Sequence, residues 1–139
     1  MSIRVLVVDD HPLMRDGLRF LINAQEDMEV VGEAADGAAA LEEMQVLGPD
    51  VVIMDIGLPG IDGVEATRTI MSQSPTNIIV VTAYGDHRVQ DALDSGARLV
   101  LTKPILEEQL AQAIEVVTGR KLDAAEGAPA AEGSNTCRE

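Results

Sequence analysis

Five polar side chains follow short apolar runs of the sequence, and together they have the chemistry of a phosphoryl-transfer site. They are Asp9, Asp10, Asp55, Thr82 and Lys103. Three carboxylates can hold a hard divalent cation such as Mg²⁺, which prefers oxygen ligands and often binds phosphate oxygens as well. A lysine ammonium and a threonine hydroxyl can neutralise and hydrogen-bond the same oxygens. A carboxylate can also act as the nucleophile and become an acyl phosphate.

Asp55 is the expected nucleophile because it ends an apolar run and precedes the loop "IGLPGIDG". An isolated Asp before Gly is often only a turn former, so the assignment depends on the other four residues. Gly57, Pro59 and Gly60 would shape a loop that approaches the metal closely. Carboxylates that lie within a few ångströms raise one another's pKa unless a cation neutralises them. We therefore expect a Mg²⁺ ion to accompany this cluster.

The apolar runs predict the strands of a sheet. Near-continuous Val, Ile and Leu without alternation is typical of strands buried on both faces. A weaker, alternating segment, Met28–Ala34, is expected at a sheet edge. The other predicted strands are Ile3–Val8, Val51–Met54, Ile78–Val81 and Leu99–Leu101.

Helical spacing separates these runs, which gives five strands and five helices in alternation. This pattern requires right-handed crossovers and predicts an α/β fold with a doubly wound, five-stranded parallel sheet. In the flavodoxin-like strand order 2-1-3-4-5, the first and third strands are neighbours, so their acids would converge at the carboxyl edge. The helices are predicted around Met14–Ile22, Asp36–Leu47, Gly63–Ser72, His87–Asp94 and Leu110–Val117, with Asp36 and Asp62 as N-caps and Gly48 and Gly96 as stops.

The chain of 139 residues has room for one folded domain, predicted at 1–120, with a disordered tail or linker at 121–139. Its formal charge of −14 argues against direct binding to nucleic acid or anionic membranes. Cys137 has no partner for an internal disulfide, and no run approaches a membrane span. We expect a soluble, cytoplasmic protein.

In their order and spacing, "VLVVDDHPLMRDGL", "VVIMDIGLPGIDGVEATR", "VVTAY" and "LTKP" resemble the response-regulator receiver domain of two-component signalling, most closely its NarL/LuxR-type branch. The resemblance covers about Ile3 to Thr118. It implies that Asp55 is the phosphoacceptor, and that Asp9, Asp10, Asp55 and the backbone carbonyl of Gly57 hold Mg²⁺. It also implies that Thr82, Ala83 and Lys103 bind the phosphoryl group and act in the switch.

The same resemblance implies a signalling switch rather than an enzyme. Its phosphate donor would be a sensor histidine kinase or a phosphotransfer protein, and a homodimer is possible. Its output would be transcription regulation through an effector domain absent from this chain, and the alternative is a stand-alone receiver that acts through protein contacts. In this family the peptide bond between the lysine and the proline of "KP" is often cis, and the matching bond here is Lys103–Pro104.

The sequence departs from the family pattern at the residue three positions before the lysine. Receiver domains usually have Tyr or Phe there as the partner of the switch threonine, whereas this chain has Val100, preceded by Leu99. Tyr84 cannot be assumed to replace that aromatic side chain. The route by which activation spreads is therefore left open by the sequence.

Three alternatives differ in class from this interpretation. A haloacid-dehalogenase-type phosphatase would have a D-x-D motif at the first strand, which "DDHPL" lacks. A flavin electron carrier would have a hydroxyl-rich phosphate loop and aromatics beside the ring. A phosphorylation-independent interaction module would gain no mass from an acyl phosphate with Mg²⁺. His11, which precedes Pro12 at a helix start, is interpreted as an exposed loop residue.

Overall fold

The apolar runs form a five-stranded parallel sheet, and the segments between them form five helices. The computed structural model describes residues 2–83 and 85–119. The strand order is β2-β1-β3-β4-β5, as the sequence predicts. The elements are β1 Ile3–Val8, α1 Pro12–Asn23, β2 Met28–Ala34, α2 Gly37–Leu47, β3 Val51–Asp55, α3 Gly63–Gln73, β4 Asn77–Thr82, α4 Val89–Asp94, β5 Leu99–Thr102 and α5 Glu107–Thr118.

The sheet separates two apolar clusters because successive strand side chains point to opposite faces. On one face, strand residues such as Leu6 and Val52 pack with α2, α3 and α4. On the other face, residues such as Val7 and Ile53 pack with α1 and α5. Each large apolar side chain that is fully buried contributes ~1.5–3 kcal/mol. This double burial makes the three central strands a rigid base for the residues at their ends.

Local signals in the sequence correctly located several helix ends. The side chain of Asp36 accepts a hydrogen bond from the backbone N–H of Ala39 at 2.8 Å, which caps α2. Asp62 caps α3 in the same way through the N–H of Glu65. Gly48 follows α2 in the left-handed region at φ 56°, where glycine carries little steric cost.

Two predictions about the elements near the end of the sheet were wrong. The run at Leu99–Leu101 is only partly buried, because β5 lies at the outer edge of the sheet and pairs with β4. Helix α4 begins at Val89 rather than His87, because the Asp86 carboxylate accepts the N–H of Arg88 and forms a turn before the helix.

The predicted edge position of β2 is confirmed. The predicted tail at 121–139, with Cys137, lies outside the described residues. Within the part of the chain that the structure describes, none of the helices has the length and apolar character needed to cross a bilayer.

Candidate functional site

Strand register brings the predicted acids to one edge of the sheet. Val8 of β1 is the pairing partner of Met54 of β3, so Asp9 and Asp55 follow paired residues. Asp55 is itself paired with Val81 of β4, the residue before Thr82. The neighbouring carboxyl ends of three parallel strands therefore carry these side chains, at the edge where ligands bind in open α/β sheets.

Asp55 is almost fully buried, and the backbone around it is closely packed. Its Oδ1 atom accepts a hydrogen bond from the N–H of Gly57 at 3.2 Å, which favours one side-chain orientation. The N–H of Gly63 donates to the carbonyl of Ile56 at 3.1 Å, so the loop after β3 returns to its own start. A Cβ on Gly63 would lie 2.4 Å from the carbonyl oxygen of Asp55, a steric clash that glycine avoids because it has no Cβ.

Four neighbouring residues each offer one possible metal-ligand atom, and these atoms all lie within 4.8 Å of one another. The residues are Asp9, Asp10, His11 and Asp55. The Oδ1 atom of Asp10 is buried and has no hydrogen-bond partner among the described residues. A buried carboxylate oxygen without a partner is costly, and a cation would remove that cost. Three carboxylates form the oxygen-rich donor set that Mg²⁺ prefers, so the residues present fit this ion.

The electrostatics of the cluster disfavour a third negative charge at Asp55. Burial raises the pKa of the Asp55 carboxyl above its ordinary value, and the charges of Asp9 and Asp10 raise it further. The N–H of Gly57 and the ammonium group of Lys103 lower the same pKa. The sequence-based expectation that neighbouring acids raise this pKa is correct in direction, although burial is the larger cause.

Lys103 extends into the acidic cluster from the end of β5. Its Nζ atom lies 3.8 Å from Oδ1 of Asp55 and 3.9 Å from Oδ2 of Asp9. Its backbone N–H donates to the carbonyl of Thr82, which ties the lysine to the adjacent strand. The peptide bond between Lys103 and Pro104 is cis. One cation therefore faces two of the three predicted carboxylates.

Thr82 is buried at the end of β4, but its hydroxyl group is engaged on the side of the following loop. It lies 3.4 Å from the carbonyl oxygen of Ala83, a long contact. Ala83 and Gly57 are exposed at the same edge. The expectation that the hydroxyl group meets phosphoryl oxygens stays a prediction.

Val100 lies in β5, partly buried, at the position where an aromatic side chain was expected from the resemblance. It packs against the apolar cluster that includes α2, α3 and α4. Tyr84 lies outside the described residues. Val100 is therefore an apolar contact of this cluster. It has no aromatic ring that could move together with the Thr82 side chain.

Sequence reasoning missed the role of His11, whose ring contacts the acids. The side chain is 68% exposed, as expected, yet its Nδ1 atom lies 3.1 Å from Oδ1 of Asp9, with which it shares a hydrogen bond. The same nitrogen lies 3.0 Å from Oδ1 of Asp10, without hydrogen-bond geometry. The adjacency in "DDH" was the available signal.

Sequence reasoning also missed Arg15, whose side chain fixes the backbone at the end of β1. Its Nη1 atom donates to the carbonyl oxygen of Asp9 at 2.7 Å, and its Nε atom donates to Glu33 at 3.2 Å. This side chain connects α1, β2 and the first acidic residue. A helical arginine one turn after "DDH" is a weak sequence signal, because most arginines in such positions are simply exposed.

Arg88 is a further residue near the acceptor that the sequence did not predict. Its guanidinium group pairs with Asp86 at 3.0 Å, and an Nη atom lies 3.8 Å from the place where a Cβ on Gly57 would be. The side chain therefore covers part of the loop after Asp55. Only the three-dimensional course of the loop after β4 reveals this position.

Comparisons with known sequences agree with this geometry. The sequence profile of the response regulator receiver domain matches residues 5–115. The uncharacterized transcriptional regulatory protein YhcZ of Bacillus subtilis is 42% identical over 118 residues, which cover 84% of this chain and 55% of YhcZ. Other relatives are protein-glutamate methylesterases, of which the aligned part covers 30%. The chain thus spans about half the length of the curated transcriptional regulators it matches.

Solved structures have the same fold. The response regulator domain of Thermotoga maritima CheB aligns with a TM-score of 0.81 and 39% identity, covering 86% of this chain and 98% of that one. The receiver domain of NarL from Mycobacterium tuberculosis aligns with a TM-score of 0.74 and 35% identity, covering 91% and 98%. Both alignments include almost the whole of the solved chain.

Proposed function

The chain belongs to the response regulator receiver domain family, in its NarL/LuxR-type branch, and on this premise we propose that phosphorylation of Asp55 switches it. The observation that carries the proposal is the meeting of one cation with a cluster of acids. The Nζ atom of Lys103 lies 3.8 Å from the Asp55 carboxylate, beside Asp9 and Asp10. A buried carboxylate with an adjacent ammonium group is suited to accept a phosphoryl group and to hold its charge.

The proposed reaction is the transfer of a phosphoryl group from a phosphohistidine to Asp55. A carboxylate oxygen of Asp55 forms a new bond to phosphorus, and the bond between phosphorus and the donor's imidazole nitrogen breaks. The electron pair of the broken bond stays on that nitrogen, which takes a proton from solvent. Lys103 neutralises charge on the phosphoryl oxygens, while the N–H of Gly57 holds the Asp55 side chain in position.

The metal ligands are proposed as Asp9, Asp10, Asp55 and the backbone carbonyl of Gly57. When bound, Mg²⁺ supplies positive charge that neutralises carboxylate and phosphoryl oxygens. The buried Oδ1 atom of Asp10, which accepts no hydrogen bond from the described residues, supports this assignment. Thr82 and Ala83 are proposed to bind the phosphoryl group once it is in place.

The donor is proposed to be a sensor histidine kinase or a phosphotransfer protein, and the phosphorylated form to change its contacts with partners, a second copy included. Transcription regulation is the proposed output, because relatives such as YhcZ are named transcriptional regulators and extend beyond the aligned part. The folded unit is proposed to be residues 1–120. The family match to residue 115 and the end of α5 at Thr118 support that boundary.

The experiment that tests this function is incubation with acetyl phosphate and Mg²⁺, followed by intact-mass measurement. We expect the wild-type protein to gain the mass of one phosphoryl group, and Asp55→Asn to gain none. Asp94→Asn, which removes an exposed acid of α4, is the matched control and should be labelled like wild type. A wild-type protein that gains no mass would indicate a phosphorylation-independent interaction module instead.

A further inference from the structure

Asp86 and Arg88 form a compact ion pair in the loop between β4 and α4. The carboxylate of Asp86 accepts the backbone N–H of Arg88 at 2.9 Å, its Nε at 3.1 Å and an Nη at 3.0 Å. Only 12% of the Asp86 side chain is exposed, against 34% for Arg88. Two guanidinium donors and the backbone N–H of the same residue fix the position of the guanidinium group, and a charge-assisted contact of this kind is stronger than a neutral one.

The place in which Arg88 is held lies over the loop that follows Asp55. Gly57 has no side chain, and the nearest group to where its Cβ would lie is an Nη atom of Arg88, at 3.8 Å. The charges of Asp86, Asp62 and Asp55 all raise the pKa of Arg88, with the hydrogen bond to Asp86 as the largest cause. A second cation, besides Lys103, therefore lies near the acceptor carboxylate.

Asp86 is an ionised carboxylate at neutral pH. Hydrogen bonds from Arg88 lower the pKa of the Asp86 carboxyl to about 2. The N–H donors that Asp86 holds are ones that a phosphate oxygen can also accept.

We propose that Asp86 retains Arg88 in the unmodified domain, and that the Arg88 guanidinium group transfers to the phosphoryl group on Asp55. This inference rests on the proposed function, because it requires a phosphoryl group at that residue. An acyl phosphate is a multiply charged acceptor, and the planar guanidinium group of arginine suits phosphate oxygens. Asp86 and the phosphoryl group compete for the same donors.

The competition has a structural consequence for the loop. Arg88 is the N-cap residue of α4, so its departure from Asp86 alters the start of that helix.

The experiment measures binding of beryllofluoride, a stable phosphoryl analogue, to the whole protein with Mg²⁺ present. Arg88→Gln removes the guanidinium charge and should weaken binding about fivefold, the equivalent of ~1 kcal/mol for a partly exposed pair. Asp86→Asn removes the competing charge and should strengthen binding. Arg98→Gln removes an exposed arginine that contacts Asn77, and should bind like wild type.

The proposal predicts weaker beryllofluoride binding in Arg88→Gln and stronger binding in Asp86→Asn. An ion pair that only stabilised the loop would instead weaken binding in both variants. Arg88→Lys, which keeps the charge, should bind more tightly than Arg88→Gln and allows a decision if Asp86→Asn fails to fold. Unchanged binding by Arg88→Gln would overturn this inference and leave the proposed function intact. A wild-type protein that binds no beryllofluoride would overturn both.

Discussion

The ammonium nitrogen of Lys103 lies 3.8 Å from Oδ1 of Asp55, although the two residues follow different strands of the sheet. β3 and β5 are not neighbours, since β4 lies between them. The lysine reaches across because its backbone N–H is bonded to the end of β4 and its side chain is long. The proposed phosphoryl site therefore depends on the relative position of three strands.

Replacement of Lys103 by Met should slow phosphorylation of Asp55 by acetyl phosphate roughly 100-fold, the usual loss when one charge-stabilising donor is removed. The fold should survive, because the lysine side chain is partly exposed and lies outside both apolar clusters. Intact-mass time courses measure the phosphorylation rate, and thermal unfolding measures whether the fold survives. Arg98→Met removes an equal charge away from the site and should react like wild type. An unfolded Lys103→Met variant would instead identify a structural lysine.

Asp55→Asn should raise the free energy of unfolding at pH 7 by about 1 kcal/mol, the usual size of a single-residue effect. The folded-state pKa of Asp55 lies above its ordinary value of 3.8, chiefly through burial. The stabilising contribution of this carboxyl group is thus present below pH 3.8 and is lost as pH rises through the folded-state value.

Urea unfolding at pH 7 and pH 3.5 with a chelator present would measure this effect. We expect Asp55→Asn to have a higher free energy of unfolding than wild type at pH 7 and nearly the same value at pH 3.5. Asp94→Asn again serves as the control for loss of one exposed charge. A variant that is less stable than wild type at pH 7 would show that the ionised carboxylate stabilises the fold.

Mg²⁺ should raise the unfolding temperature of the wild-type protein. At a free concentration ten times the Kd, the added stability would be about 1.4 kcal/mol. Asp10→Asn should lose most of this increment, because the buried Oδ1 atom of Asp10 accepts no hydrogen bond from the described residues and is free to bind the ion. Asp16→Asn, an exposed acid of α1, should keep it. Equal Mg²⁺ effects in all three proteins would place the ion elsewhere.

Gly63→Ala should destabilise the protein by roughly 1–3 kcal/mol, because the added methyl group meets backbone that cannot move freely. It would lie 2.4 Å from the carbonyl oxygen of Asp55 and 2.7 Å from Cα of Ile56. Gly17→Ala in α1 has open space around the added group within the described structure and should stabilise by about 0.5–1 kcal/mol. Denaturant unfolding compares the pair, and a tolerated Gly63→Ala would show that the loop after β3 is adjustable.

The convergence of Asp9, Asp10, Asp55 and Lys103 was predictable from sequence because of a rule of topology. Polar residues that directly follow strands of one parallel sheet share its carboxyl edge, wherever they lie in the chain. Apolar runs identified the strands, and side-chain caps such as Asp36 and Asp62 identified helix starts. These signals are local, so tertiary contacts did not alter them.

The contacts of loop side chains were not predictable in the same way. The position of Arg88 beside Gly57 depends on the turn that Asp86 makes. The partial exposure of β5 depends on its place at the sheet edge rather than on its composition. Each of these features arises from packing between separate elements.

The most direct measurement of the central claim is chemical identification of the phosphorylated residue. Treatment of the phosphorylated protein with borohydride reduces an acyl phosphate and leaves homoserine in place of the modified aspartate, which peptide mass spectrometry locates. We expect homoserine at position 55 in the wild-type protein and at no aspartate in Asp55→Asn. Homoserine at position 9 or 10, or none in a protein that carries phosphate, would contradict the account.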